Sequence, residues 1–203
     1  YYIDKYEYPN KANELPKAML TLAEATKVCK AVGKRLCTSN EWRHACQSGK
    51  NYRFVYGHIY QPEKCFSNSQ LMEGHTSLIG NKTAYAPSGS FTSCVTEDGV
   101  FDMNGNLEEW VQDSWKGMGG ILEGGAWYTH SQYADCTGRY SRQPDFRLNP
   151  NSPTDSAGVR CCWSSRSPTR DLIAKDSQQR LEDARTLSSS AEYNPNDEVS
   201  ISA

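Results

Sequence analysis

The chain has 203 residues, 22 basic and 24 acidic side chains, a formal net charge of −2 and 37% hydrophobic positions. That length supports one good core and an extension, and interspersed charges of both signs give no electrostatic case for nucleic acid or an anionic membrane surface. No apolar run approaches the ~18 residues of a bilayer span and no basic-then-apolar leader opens the sequence at Tyr1, so a soluble globular domain that does not span a membrane is expected.

In chain order, the first element is a helix in "TLAEATKVCKAVGKRLC". Thr21 and Glu24 have capping-box spacing, Leu22, Ala25, Val28, Cys29 and Val32 recur at helical intervals, and Gly33 ends the run. A second box at Thr38 and Glu41 opens a short helix through Trp42, Ala45 and Cys46, with its end expected near Gly49. Helical periodicity then stops. Short aromatic or β-branched runs, "YRFVYG", "LEEWVQDSW", "ILEGGAWY" and "AGVRCCW", alternate with Gly, Asn, Ser and Pro clusters and imply short strands tied by long loops. Beyond Trp163 apolar anchors thin out. Residues 1–163 are therefore read as one domain and 164–203 as a polar extension, partly helical in "RDLIAKDSQQRLEDARTL" or disordered.

Eight cysteines are spread over the chain: Cys29, Cys37, Cys46, Cys65, Cys94, Cys136, Cys161 and Cys162. An even set of this kind reads as disulfides formed outside the cytosol. A structural zinc site is disfavoured, because no Cys-x-x-Cys pair occurs and His44, His58, His75 and His130 are scattered. Cysteine arithmetic alone leaves the pairing open.

Five blocks in order, "YYIDKYEYPN", "EATKVCKAVGKRLCTSNEWRHAC", "GVFDMNGNLEEWVQDSW", "LEGGAWY" and "AGVRCC", resemble the formylglycine-generating enzyme (sulfatase-modifying factor) family over roughly residues 2 to 163. The resemblance implies an α+β fold of the C-type lectin-like kind, two helices on small twisted antiparallel sheets, loop-rich and disulfide-bonded. It implies bridges at the positions matching Cys29 with Cys161 and Cys46 with Cys136. For the remaining four, Cys37 and Cys162 each lie beside members of the first bridge and Cys65 and Cys94 flank one loop-rich stretch, so Cys37 with Cys162 and Cys65 with Cys94 are expected. Adjacent Cys161 and Cys162 face opposite ways if extended and should not pair.

The same resemblance implies a structural Ca²⁺ held by the side chains of Asp102 and Glu109 and the carbonyls of Gly105 and Leu107, an oxygen set suited to a hard cation. A second such site is not recognisable, although Asn68 is a candidate for it. Members of the family bind copper through two cysteines following a "GGS" strand and oxidise a substrate cysteine to formylglycine. Counting from Gly124 and Gly125 in "GGAWYTHSQYADC", those positions carry Thr129 and Ala134, and neither is a soft ligand for Cu(I). Cys136 matches a structural half-cystine and has no thiolate to offer as a disulfide. His130 has no obvious Ser and Asp companions.

No catalytic residue is assigned and no copper is expected. The expectation is a non-catalytic, extracytoplasmic recognition domain, secreted, periplasmic or at the cell surface and of bacterial origin, that binds a protein, peptide or glycan. Tyr128, His130, Gln132, Tyr133, Asp135, Arg139 and Tyr140 are the candidate contacts, a mixture of aromatic platforms and short hydrogen-bonding groups, while Trp127 is expected to be buried. Gln143–Asp145 copies a lectin sugar-binding tripeptide, but its usual Trp-Asn-Asp companion is absent. The alternatives are a metal- and oxygen-dependent oxidase with a relocated site, and a structural component of an envelope or fibre assembly joined through the tail.

Overall fold

A computed structural model describes residues 1–67, 85–113, 120–138, 156–164 and 198–200. Asn68, Arg139, Tyr140, Gln143–Asp145 and the helix candidate at 170–187 lie outside them. Helix α1 spans Leu22–Ala31 and opens on the expected box: the Glu24 N–H donates to Thr21 Oγ1 at 3.2 Å and the Thr21 N–H to the Glu24 carboxylate at 2.8 Å. Two donors that a helix start would otherwise leave unpaired are thus satisfied. The helix buries Ala25 and Cys29, and past its end Gly33 turns at φ +74° so that the Lys34 N–H returns to the Cys29 carbonyl at 2.9 Å.

Helix α2, Ser39–Cys46, repeats the device with Thr38 and Glu41 and buries Ser39, Trp42, Ala45 and Cys46. It stops at Cys46, ahead of the expected Gly49, whose N–H still reaches back to the His44 carbonyl at 3.1 Å. Arg35 grips the Glu41 carboxylate with both terminal nitrogens at 2.7 Å. Burial pushes that carboxyl up, but Arg35 and Thr38 together bring it below the ordinary carboxylate value.

The strands are short: β1 Tyr2–Asp4, β2 Arg35–Leu36, β3 Glu108–Val111, β4 Ile121–Glu123, β5 Ala157–Val159, β6 Cys161–Trp163 and β7 Glu198–Ser200. One sheet runs β2-β6-β1-β7 with antiparallel neighbours throughout, and the other runs β4-β3-β5. In the second sheet β3 pairs with β4 antiparallel and with β5 parallel. The expected all-antiparallel arrangement therefore fails at β3–β5, because β5 returns from a distant part of the chain in the same direction as β3. The single residue Arg160 separates β5 from β6, and there the chain leaves one sheet and enters the other. "YRFVYG" is not a strand but a tight turn closed by a bridge between Phe54 and Gly57. Within the polar extension, Val199 registers against Ile3, a strand the composition of the tail concealed.

The core divides in two. One cluster gathers Leu20, Ala25, Cys29, Leu36, Trp110, Leu122, Ala157, Val159 and Cys161. The other centres on Ile3, Trp42, Val55, Met103 and Val111 and holds the remaining six half-cystines. Cys161 and Cys162 face opposite clusters, as strand alternation requires. The disulfides are Cys29–Cys161, Cys37–Cys162, Cys46–Cys136 and Cys65–Cys94, the same pairs read from the sequence. Their separations of 132, 125, 90 and 29 residues correspond on a chain-entropy account to about 5 down to about 3.5 kcal/mol each, taken singly. The first two bridges run side by side, so either one already closes most of the other's loop and their effects do not add.

Candidate functional site

The turn into β3 carries the expected calcium donors. Gly105 sits at φ +83°, where a Cβ would stand 2.1 Å from the Phe66 carbonyl oxygen, so glycine is required. Asp102 Oδ2 accepts the Gly89 N–H at 2.6 Å. Glu109 accepts Arg160 Nη2 at 2.8 Å, Arg160 Nε at 3.1 and 3.2 Å and the Trp42 indole N–H at 2.6 Å. Arg160, with none of its surface exposed, also donates to the Asp4 and Phe101 carbonyls and so joins the two sheets through one guanidinium. A third buried carboxylate, Glu7, accepts from the Leu107 N–H, Asn106 Nδ2 and Ser88 Oγ.

Burial first, then the charges of Asp102 and Glu109, raises Glu7 well above the carboxylate range, and burial raises Asp102 to about 7 against the pull of Gly89 and Arg160. Both Glu109 oxygens accept from the Arg160 guanidinium, so this carboxylate is engaged by a cationic side chain.

The segment after β4 has a different character. Gly124 and Gly125 both turn at positive φ, +87° and +72°. A Cβ on Gly125 would meet the Ala134 Cα and Cβ at 3.0 Å and Thr129 Cγ2 at 3.1 Å, so residues 129 and 134 approach each other across one α-carbon, within roughly 6 Å. Thr129 closes a tight turn: its Oγ1 accepts the Ala126 N–H and its own N–H donates to the Ala126 carbonyl, both at 2.9 Å. Cys136 is bonded to Cys46 and its N–H donates to the Arg53 carbonyl at 2.8 Å. All eight cysteines are in disulfides and the chain has no free thiol.

Ala134 lines a small surface cleft of about 10 Å³, room for roughly one water, together with Tyr56, Tyr60, Gln61, Cys65, Ser67 and Asn104. The rim is built by two loops that Arg53 ties together. Its Nη2 donates to the Gln132 carbonyl at 2.8 Å, its Nε pairs with Asp135 Oδ2 at 3.3 Å, and its guanidinium lies 5.2 Å from the Phe54 ring centroid. Phe54 stacks in turn on Tyr56 at 5.5 Å. Beside the cleft-lining residues Tyr60 and Ala134 stand Ile59, 78% exposed, and Tyr133, 40% exposed.

Of the seven expected contacts, three stand at this rim: His130, Gln132 and Tyr133 are exposed, with the His130 and Tyr133 rings 5.5 Å apart. Two are corrected. Asp135 is buried and committed to Arg53 and to the N–H and hydroxyl of Thr137, and the Tyr128 hydroxyl hydrogen-bonds Ser156 Oγ at 2.9 Å. Arg139 and Tyr140 lie outside the described residues. Trp127, expected to be buried, is half-buried, with its indole N–H enclosed and without an acceptor among the described residues. Sequence reasoning missed Tyr56, Ile59, Tyr60 and Gln61, although the density of rings in "YRFVYGHIYQ" carried the signal: a short turn cannot bury them all.

Residues 4–165 match the family model described as sulfatase-modifying factor enzyme 1-like domain. The chain is 26% identical over 171 residues to the inactive C-alpha-formylglycine-generating enzyme 2 of Mus musculus, covering 78% of this chain and 52% of the relative. To the formylglycine-generating enzyme of the same organism it is 26% identical over 174 residues, covering 73% and 44% respectively. The chain thus spans about half the length of these curated relatives, one named inactive and the other named for an activity. Among solved structures, PvdO from Pseudomonas aeruginosa shares the fold at a TM-score of 0.53 and 20% identity, with 73% of this chain and 61% of that chain aligned. Together with the paired helices, the two small sheets and the glycine turn after β4, the match over residues 4–165 establishes that the chain belongs to the sulfatase-modifying factor enzyme 1-like family.

Proposed function

We propose that this chain is a non-catalytic recognition domain, working outside the cytosol, that binds a protein, peptide or glycan on the rim formed by residues 52–61 and 130–133. The observation that carries the reading is the absence of any free thiol, combined with Thr129 and Ala134 at the paired positions across Gly125. A soft-metal oxidase site needs thiolates there, and a methyl group and a hydroxyl already used to close a turn cannot replace them. Four disulfides favour an oxidising compartment. Among the described residues no helix is long and apolar enough to cross a membrane. Exposed Ile59, and exposed Tyr133 with the His130 ring 5.5 Å away and Gln132 next to it in sequence, supply apolar and hydrogen-bonding contact of the kind that recognition surfaces use.

The decisive experiment is an anaerobic Cu(I) titration of the intact chain and of its Thr129→Cys/Ala134→Cys variant. The unmodified chain is expected to retain no stoichiometric copper and the variant to take up one equivalent. Stoichiometric copper on the unmodified chain would sink the reading. In parallel, ligands selected from peptide and glycan panels are expected to lose binding on Ile59→Asp and Tyr133→Ala while the melting transition stays in place.

A further inference from the structure

The sheet β2-β6-β1-β7 joins strands that are held very differently. β1 is fixed without any help from β7: Ile3 pairs with Cys162, itself bonded to Cys37, and Asp4 is engaged by Lys34 Nζ and by Asn10 Nδ2 at 3.1 Å. The Asp4 carbonyl also accepts Arg160 Nη1 at 2.8 Å. β7, by contrast, is the outermost strand, and among the described residues it pairs with β1 alone, through Tyr2 with Ser200, Ile3 with Val199 and Asp4 with Glu198. It also lies beyond residue 165, where the family match ends, so this chain fills an edge of the shared fold with a segment of its own. Residues 164–197 connect it to β6, a length of chain that reaches up to about 110 Å when drawn out.

We propose that the outer edge of β1 is a strand-docking site that joins two copies of this chain, each placing its β7 on the β1 of the other. An uncovered edge strand presents outward N–H and C=O groups without partners and therefore accepts an added strand. The occupant follows from the ladder. β7 of a second copy forms the same three residue pairs that β7 forms within one chain, so exchange neither adds nor removes a pair. Because β1 is anchored through β6, Lys34 and Arg160, the edge stays in place when its own β7 departs. Concentration then decides between the two arrangements. A tethered strand acts at an effective concentration on the order of 1 mM. The closed single chain therefore prevails at about micromolar concentration, and the exchanged pair forms at about millimolar concentration or where copies are held side by side.

This edge shares no residue with the rim at 52–61 and 130–133, so its failure would leave the recognition reading standing. The probe is a synthetic peptide with the sequence of residues 194–203, and the acceptor is the full chain carrying Val199→Pro/Ser200→Pro. Hydrogen-bonded positions alternate along an antiparallel ladder, so two adjacent prolines remove a donor in either phase. An unchanged melting transition checks that the acceptor is folded. The peptide should saturate the acceptor with a Kd below about 0.5 mM, shifting the amide NMR signals of Tyr2 to Asp4, and should bind the unmodified chain at least about threefold more weakly because its own β7 competes. In sedimentation, the unmodified chain at about 1 mM should form dimers that excess peptide disperses, an outcome that needs no substitution, and the double-proline chain should stay monomeric. Equal peptide binding to both chains, no binding to the acceptor, dimers that persist in the double-proline chain or under excess peptide, or no dimer of the unmodified chain would each overturn the proposal.

Discussion

Two turns of this chain, Asp102 to Glu109 and Gly124 to Ala134, use their side chains in opposite ways. The turn from Asp102 to Glu109 keeps residue types suited to an oxygen-ligated cation, yet Asp102 is turned to the Gly89 N–H and Glu109 to Arg160 and Trp42. The turn from Gly124 to Ala134 brings two positions close together across Gly125, and Thr129 and Ala134, which occupy them, carry no thiol. One region has its carboxylates engaged by protein partners, and the other brings two positions together without a metal ligand between them. Neither residue identity nor backbone shape alone predicts what a site does.

Arg160→Leu tests the first region most severely. It leaves Glu109 buried without its cationic partner and should cost about 3 to 5 kcal/mol in urea unfolding, while Arg160→Leu/Glu109→Leu should recover most of the loss. A cost under about 1 kcal/mol would mean that another cation holds Glu109, reversing the contrast. In the second region, Gly125→Ala imposes a side chain at φ +72° against Thr129 and Ala134. About 2 kcal/mol of destabilisation is expected by thermal melting, and a neutral result would mean that the two positions are not packed across that α-carbon. Thr129→Val removes the hydroxyl that receives the Ala126 N–H and should cost about 1 kcal/mol. The smallest expected effect is that of calcium: millimolar addition to chelator-treated protein should move the melting temperature by less than about 1 °C, because binding to the native state would have to shift it upward. A larger rise would show that Glu109 can be released from Arg160.

The helices were legible because their signals are local. Thr21 with Glu24 and Thr38 with Glu41 fix both starts within four residues of sequence. Strands β1, β2 and β7 were not, since runs of two or three residues such as "RL" and "YID" have no measurable period and depend on partners far along the chain. Asp135 looked like a displayed acid because its partner, Arg53, is 82 residues away. The cleft was hidden for the same reason: its wall combines residues 56, 60, 61, 65, 67, 104 and 134, and no single stretch reveals that assembly. The disulfide pairs became readable only through the family resemblance, as spacing alone leaves them open.

Arg53 gives the rim a property beyond its composition. By holding the Gln132 carbonyl, the Asp135 carboxylate and the face of Phe54 at once, it fixes two loops from distant parts of the chain in one arrangement. A ligand touching both Ile59 and Tyr133 meets a surface already assembled, so little of its binding free energy goes into ordering the receptor. Such a surface favours long residence over broad tolerance: it discriminates by shape, and it gives up the adaptability that two independent loops would have retained.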